Sequence, residues 1–540
     1  MTFPVKLLRR SRRVLLPALV AASALAPWPA QANQSNHLGA EGGGRVLVRT
    51  SSGWVQGKAT DQGREFLGIP YAQAPTGALR WRAPKPAPGW VGVKDATRFG
   101  NNCPQSAFWI PGYEKDQTAE DCLDANVYTP PATRHTGKLP VMVFIHGGGN
   151  VGGAGRDIVP DTFARRTNTV VVTFNYRLGA MGFLTLPGTT GNFALLDQQA
   201  AMRWTQANIA RFGGDPARVT IAGESAGGGA VCTQLASPTS RGLYRAAIIE
   251  SGAFFDCAGK SRKDAVSVGL AFAAKLGCTH PATAADCLRA KPAKDILKAQ
   301  QGTSIFHEWN YTIGGPELPL QPSAAFTAGR ASHVPVMNGA NSNEGLSFTY
   351  DSFDRFGHPL TAGAYPRALV SAFGQTAGSR ALAQYPLGAY ARPDYAYAAA
   401  FGDQLFACPA LRTDQRLSPR GRVYTYEFAD RTSPLSANLP QHADFDFGAT
   451  HAAELNYLFK PYGLAAHLNP EQRALSAQMT AYWGSFLHDF VPRAHMQQTM
   501  PEQSAHPGYV LQLRTAPAGG NATTANLRAV HHCDLWDTAP

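Results

Sequence analysis

The chain has 540 residues, of which 44% are hydrophobic, 10% aromatic and 16% charged, with 54 glycines and 39 prolines. That balance describes a large globular protein with long loops and excludes a disordered or collagen-like chain. The formal net charge of +12 owes much to Lys6, Arg9, Arg10, Arg12 and Arg13, and the remaining cations form no long basic run, so charge gives no support to a nucleic-acid partner.

Residues 1–32 read as an export signal: the basic start, the apolar "VLLPALVAASALA", and Ala30-Gln31-Ala32 as a small-residue cleavage site. "SRR" at Ser11 to Arg13 leaves both a plain secretory signal and a twin-arginine route open. No second apolar stretch of about 18 residues follows, so the mature chain, 33–540, is expected to be secreted or periplasmic with no membrane partner. Short strands with turns ("VLVRTSSGWVQGKAT") and a Pro-rich loop ("GIPYAQAPTGALRWRAPKPAPGW") come next.

An alternation of strands and helices begins at "VMVFIH" (141–146) and "TVVVTFNY" (169–176), β-branched runs of the kind buried on both faces of a parallel sheet. "GNFALLDQQAAMRWTQANIARF" places Leu195, Leu196, Met202, Ile209 and Phe212 at helical spacing, with Asn192 as its N-cap. "RVTIAG", "RAAIIESG" (245–252), "HVPVMNGAN" (333–341) and "RVYTYEFA" (422–429) continue the strands. The last two are separated by some eighty residues, on the order of a long insertion, whose helices are expected to form a cap. No internal repeat or linker divides 33–540, so one elaborated α/β domain is expected.

Two glycine-rich turns carry chemistry. "GESAG" follows strand "RVTIAG" and opens helix "AGGGAVCTQLA", the strand-turn-helix elbow that exposes a nucleophilic serine, Ser225, and needs small neighbours. A serine hydroxyl also needs a base and donors for the oxyanion it creates. "HGGG" (146–149) after strand "VMVFI" supplies backbone N–H groups of the esterase and lipase kind. His451 with Glu454 has a His-x-x-Glu spacing, but no further ligand cluster accompanies it, and no metal or organic cofactor is expected.

Eight cysteines in an exported chain point to disulfides. Cys278 and Cys287 are near enough to staple one loop and Cys103 with Cys122 another; spacing leaves Cys232, Cys257, Cys408 and Cys533 open.

The blocks "FGGDPARVTIAGESAG", "EDCLDANVYTP" (120–130), "GIPYAQAPTGALRWRAP" and "NYRLGAMGFL" resemble those of the type-B carboxylesterase and cholinesterase family of α/β-hydrolases, over nearly all of 40–540. Asp124 and Ala125 depart from the family pattern and bear on local packing. The resemblance implies an α/β-hydrolase fold: a large, mostly parallel central sheet flanked by helices, with inserted cap helices. It further implies Glu344 as the acid and His451 as the base, in the chain order Ser, Glu, His, with oxyanion donors at the N–H groups of Gly148, Gly149 and Ala226, and Glu224 and Ser251 beside the histidine. Disulfides Cys103–Cys122, Cys278–Cys287 and Cys408–Cys533 follow from it, as do ion pairs Arg80–Glu120 and Arg177–Asp197. Cys232 and Cys257 match no family pair and are either free or bonded to each other.

These features together predict an exported serine carboxylesterase acting on a small-molecule ester through an acyl-enzyme. A non-catalytic cholinesterase-like interaction protein is the rival from another class, and a peptidase or lipase on the same fold a third reading; the oligomeric state is open. One further expectation concerns the acyl group. Where relatives carry an aromatic residue after the glycines, this chain has Asn150, and Arg156 closes the loop "GGGNVGGAGR". An amide and a guanidinium there suit a carboxylate-bearing acyl group, and the layout resembles bacterial esterases that remove tricarballylic acid from fumonisin-type mycotoxins.

Overall fold

The computed structural model describes residues 44–105, 118–131, 138–301, 308–435 and 444–537. The expected leader, 1–32, lies outside the described residues. In chain order the strands are β1 (Arg45–Arg49), β2 (Trp54–Thr60), β3 (Gly63–Pro70), β4 (Val93–Asp95), β5 (Asp124–Thr129), β6 (Leu139–Ile145), β7 (Ile158–Val159), β8 (Val170–Phe174), β9 (Gly214–Glu224), β10 (Ala246–Glu250), β11 (Val336–Asn341), β12 (Val423–Phe428), β13 (Lys460–Pro461), β14 (Val510–Leu513) and β15 (Ala522–Thr524). One sheet takes the order β1-β2-β3-β5-β8-β6-β9-β10-β11-β12-β14-β15, with β4 beside β2; β7 and β13 form a separate ribbon. From β8 to β14 every neighbour is parallel, and the pairs outside that block along the order are antiparallel.

The central strands lack polar alternation because both faces are covered. In β6, Val141, Val143 and Ile145 enter the apolar core on one face while Met142 and Phe144 enter that on the other. β10 repeats the division, with Ala247 and Ile249 on one side and Ala246 and Ile248 on the other. This is the period of two that sends successive side chains to opposite faces.

Helices cover both faces, and the insertion between β11 and β12 holds four α-helices, Gly345–Ser352, Tyr365–Gln384, Pro393–Gly402 and Cys408–Leu417, with a π turn at Asp403–Ala407 and short 3-10 turns at Asp354–Phe356 and Leu387–Ala389. The helix expected after Gly191 runs Phe193–Asn208 and continues as a 3-10 turn to Phe212. Asn192 stands at its N-cap without capping it. Its amide instead donates to Thr312 O and its Oδ1 accepts from Thr312 N–H, both at 2.8 Å. A tertiary partner has outcompeted the local one.

At the departures from the family signature, Ala125 is wholly buried, and the Asp124 carboxylate packs on Gly100, where a Cβ would lie 2.0 Å from Oδ2. Burial first, then the charge of Asp121, pushes the Asp124 carboxyl up to about 7. Both expected arginine pairs form. Arg177 meets Asp197 with two bonds of 2.7 Å in the core, and Arg80 grips Glu120 while also donating to the carbonyls of Arg289 and Lys291.

Four disulfides close: Cys103–Cys122, Cys278–Cys287, Cys408–Cys533, and Cys232–Cys257, which are bonded to each other. Cys408–Cys533 ties the last described segment to the insertion. Beside it the buried His531 ring contacts Asp403 Oδ1 at 2.5 Å and Glu427 Oε1 at 2.7 Å. Because this bridge spans 125 residues, removing it as Cys408→Ala/Cys533→Ala is expected to cost about 2–5 kcal/mol. Denaturant unfolding measures the loss, and a variant as stable as the parent refutes a stabilising role.

Candidate active site

β9 delivers the chain directly into Ser225, which takes φ 57° and ψ −127° before helix Ala226–Ala236 begins. A residue with a Cβ adopts such a conformation only where its surroundings impose it. Here Ser225 N–H donates to Glu250 O at the end of the neighbouring strand, and Ser225 O accepts from Gly229 N–H, both at 2.9 Å. The glycines are required by backbone approach. A Cβ on Gly227 would lie 1.9 Å from Ile145 O, and one on Gly228 2.7 Å from Glu250 O.

The loop after β6 runs alongside this elbow: a Cβ on Gly147 would stand 3.0 Å from that of Ser225. Gly148, Gly149 and Asn150 all have positive φ (99°, 62° and 63°). Among the described residues the N–H groups of Gly148 and Gly149 donate to no carbonyl, leaving them for a ligand. The loop is braced by Gly152 N–H on Gly148 O (3.0 Å), Gly179 N–H on Asn150 O (2.7 Å) and a mutual amide pair between Gln105 and Gly153 (2.9 Å each way). His146 stacks on Tyr176 at 4.3 Å, and burial pushes its imidazole down to about 4. It stays neutral beneath the glycines.

Glu344 and His451, 107 positions apart, meet at the ends of two loops, with Glu344 Oε2 2.6 Å from His451 Nδ1. The other oxygen of Glu344 accepts from Ser251 Oγ–H (2.5 Å) and Asn341 N–H (2.7 Å). Asn341 also donates its amide to Thr450 O at 2.8 Å, tying the strand end that carries Glu344 to the segment that carries His451. His451 Nε2 is buried and, among the described residues, makes no hydrogen bond; it lies 3.2 Å from Glu224 Oε1, likewise unbonded.

Of the acids near this pair, the sequence reading did not single out Glu250, and it weighed Glu454 only for its His-x-x-Glu spacing from His451. Glu250 accepts from the Trp483 indole N–H at 2.7 Å, and Glu454 accepts from the Asn341 amide. Burial, then Glu224, pushes the Glu250 carboxyl up to about 8, against the Trp483 bond. A glutamate as the last residue of a buried strand, "AAIIE", was the available signal. Phe348 and Phe406, each with its ring centre 4.9 Å from that of His451, were also missed.

Asn150 donates its amide to Trp309 O at 3.1 Å, and Arg156 lies over the Phe99 ring at 5.3 Å. Asparagine is one of the few non-glycine residues that readily takes a left-handed conformation, so Asn150 suits the backbone of its loop.

Burial alone would lower the His451 imidazole, but the carboxylates of Glu224 and then Glu344 outweigh it and raise it above its ordinary value. If His451 is the base that the resemblance implies, it must be deprotonated to act, and activity is then expected to fall as pH drops through this raised value, above the roughly 6.5 of a free histidine. Glu224→Gln removes a negative charge beside Nε2 and should move the acid limb of the kcat/KM profile to lower pH. A limb that stays in place would show that Glu224 does not bias this proton.

The Carboxylesterase family model matches residues 45–536. The chain is 31% identical over 529 residues to cocaine esterase of Homo sapiens, covering 94% of this chain and 91% of that one. It is 34% identical over 462 residues to para-nitrobenzyl esterase of Bacillus subtilis (strain 168), covering 82% and 89%. A solved thermophylic PNB esterase superposes with a TM-score of 0.76 at 29% identity over 91% of this chain and 99% of that structure. With the fold of these esterases and a family match from its first described strand almost to its last described residue, the chain is a carboxylic ester hydrolase and belongs to the carboxylesterase family.

Proposed function

We propose that the protein is an exported serine carboxylesterase working through Ser225, His451 and Glu344. His451 takes the Ser225 hydroxyl proton as Oγ bonds to the ester carbonyl carbon. The oxyanion so formed is stabilised by the N–H groups of Gly148, Gly149 and Ala226. Collapse breaks the bond to the alkoxide, which leaves as the alcohol with the proton from His451. Water then adds to the acyl-enzyme by the same route, releasing the acid and restoring Ser225. Glu344 orients the imidazole and balances its charge.

The observation that carries this reading is the Glu344–His451 bond of 2.6 Å, which commits Nδ1 to the acid and leaves Nε2 as the nitrogen available to a hydroxyl. Export is supported by the basic-apolar leader together with four disulfides, which persist in oxidising compartments. A small-molecule ester is the substrate, and likeness to para-nitrobenzyl esterase makes aryl and arylalkyl esters the natural probes. For the polycarboxylate-selective reading, the Asn150 amide N–H is engaged by Trp309 O and Arg156 lies over Phe99.

Ser225→Ala is expected to lower kcat/KM on such esters by about 10³-fold or more while the protein still folds. Glu344→Gln keeps the shape but removes the charge and should lower kcat by about 10³–10⁴-fold. A Ser225→Ala protein that turns over ester at the wild-type rate overturns the assignment, and a wild-type protein inert to every ester tested returns the interaction-protein reading.

A further inference from the structure

The one disulfide that the family resemblance did not imply joins the nucleophile's own helix to the turn that follows β10. Cys232 lies on helix Ala226–Ala236, and Cys257 closes the turn Phe254–Cys257. Three consecutive residues of this turn, Phe255, Asp256 and Cys257, hold φ of 52°, 54° and 59°. Non-glycine residues do not string together in the left-handed region unless something restrains them. Two restraints act here: the bridge, and Asp256, whose Oδ1 pairs with Arg412 at 2.9 Å and Arg416 at 3.1 Å.

The turn exists to present two rings. Phe254 packs against the nucleophile helix so closely that a Cβ on Gly229 would be 3.0 Å from its ring, a tight contact. Its centre is 6.0 Å from Phe406 and 6.2 Å from Phe255. Phe406 in turn stacks with Phe348 at 5.6 Å, and both flank His451. Phe254, Phe255 and Phe348 are only partly buried, so the rings form a wall that begins at the catalytic histidine and reaches the surface. Aromatic faces of this kind receive aryl and branched apolar groups.

We propose that the Cys232–Cys257 bridge fixes Phe254 and Phe255 as one side of the substrate cleft and thereby sets the selectivity of the enzyme for esters bearing an aryl or branched apolar acyl group over small ones. The proposal rests on the esterase reading of Ser225 and His451. A flexible turn would have to be ordered by each substrate at an entropic cost, whereas a bridged one is ordered in advance.

The test compares kcat/KM for para-nitrophenyl benzoate and para-nitrophenyl acetate, which share a leaving group, on the full chain. Cys232→Ala/Cys257→Ala is expected to lower the benzoate-to-acetate ratio about tenfold. Phe254→Ala and Phe255→Ala, with the bridge intact, should lower it in the same direction. A bridge that only adds stability would lower the melting temperature and depress both esters in parallel, and a ratio within about twofold of wild type in these variants overturns the proposal. If the double cysteine variant does not fold, the two phenylalanine variants decide the matter by the same ratio. A wild-type protein that hydrolyses neither ester would instead overturn the esterase reading beneath it.

Discussion

Ser225 is held in a backbone conformation that costs about 1–3 kcal/mol, and everything around it serves to impose that conformation. β6, β9, β10 and the helix Ala226–Ala236 approach so closely that Gly227 touches Ile145 O and Gly228 touches Glu250 O. Any side chain at those positions would push the helix off the sheet and relax the turn. Both faces of the central strands are packed, so the strands themselves cannot yield. The rigidity of a doubly covered parallel sheet is therefore what holds the serine in this conformation.

The same closeness creates an electrostatic difficulty. Glu224 and Glu344 flank a single imidazole, Glu250 and Glu454 lie buried within reach of their charges, and like charges so placed cannot all ionise. Burial lifts Glu250 to about 8, which keeps it neutral near pH 7, and lifts Glu224 and Glu454 as well. Glu344, bonded by Ser251 and Asn341, has the donors that an ionised carboxylate needs. The site thus separates acids of one residue type into different roles by the hydrogen bonds each receives.

Around this core, long connections are pinned at their ends. The glycine loop is held by Gln105, Trp309 and Gly179, the insertion by Cys408–Cys533 and the buried His531, and the turn after β10 by Cys232–Cys257 and Asp256. Each brace is a local bond that removes freedom from a loop whose backbone lines the site, and it leaves the sheet free to be a plain hydrophobic scaffold.

Much of this was legible along the chain. Uninterrupted β-branched runs announce strands covered on both faces, and the crowding at the elbow leaves glycines that have no other local use, so the parallel sheet, Ser225 and the loop at 147–149 could be read from residue types alone. Spacing offered Cys103–Cys122 and Cys278–Cys287, while family likeness, and not spacing, pointed to Glu344, His451 and Cys408–Cys533. What only the tertiary structure decided is which loops meet. The bond between Glu344 and His451, the acid at Glu250 beneath the serine, the Cys232–Cys257 bridge, the diversion of Asn192 to Thr312 and the burial of Asn150 against Trp309 all depend on segments distant in sequence. Packing and backbone approach act on neighbours and stamp their requirements on local composition. A contact between two loops constrains only a pair of side chains, and nothing in either loop names the other.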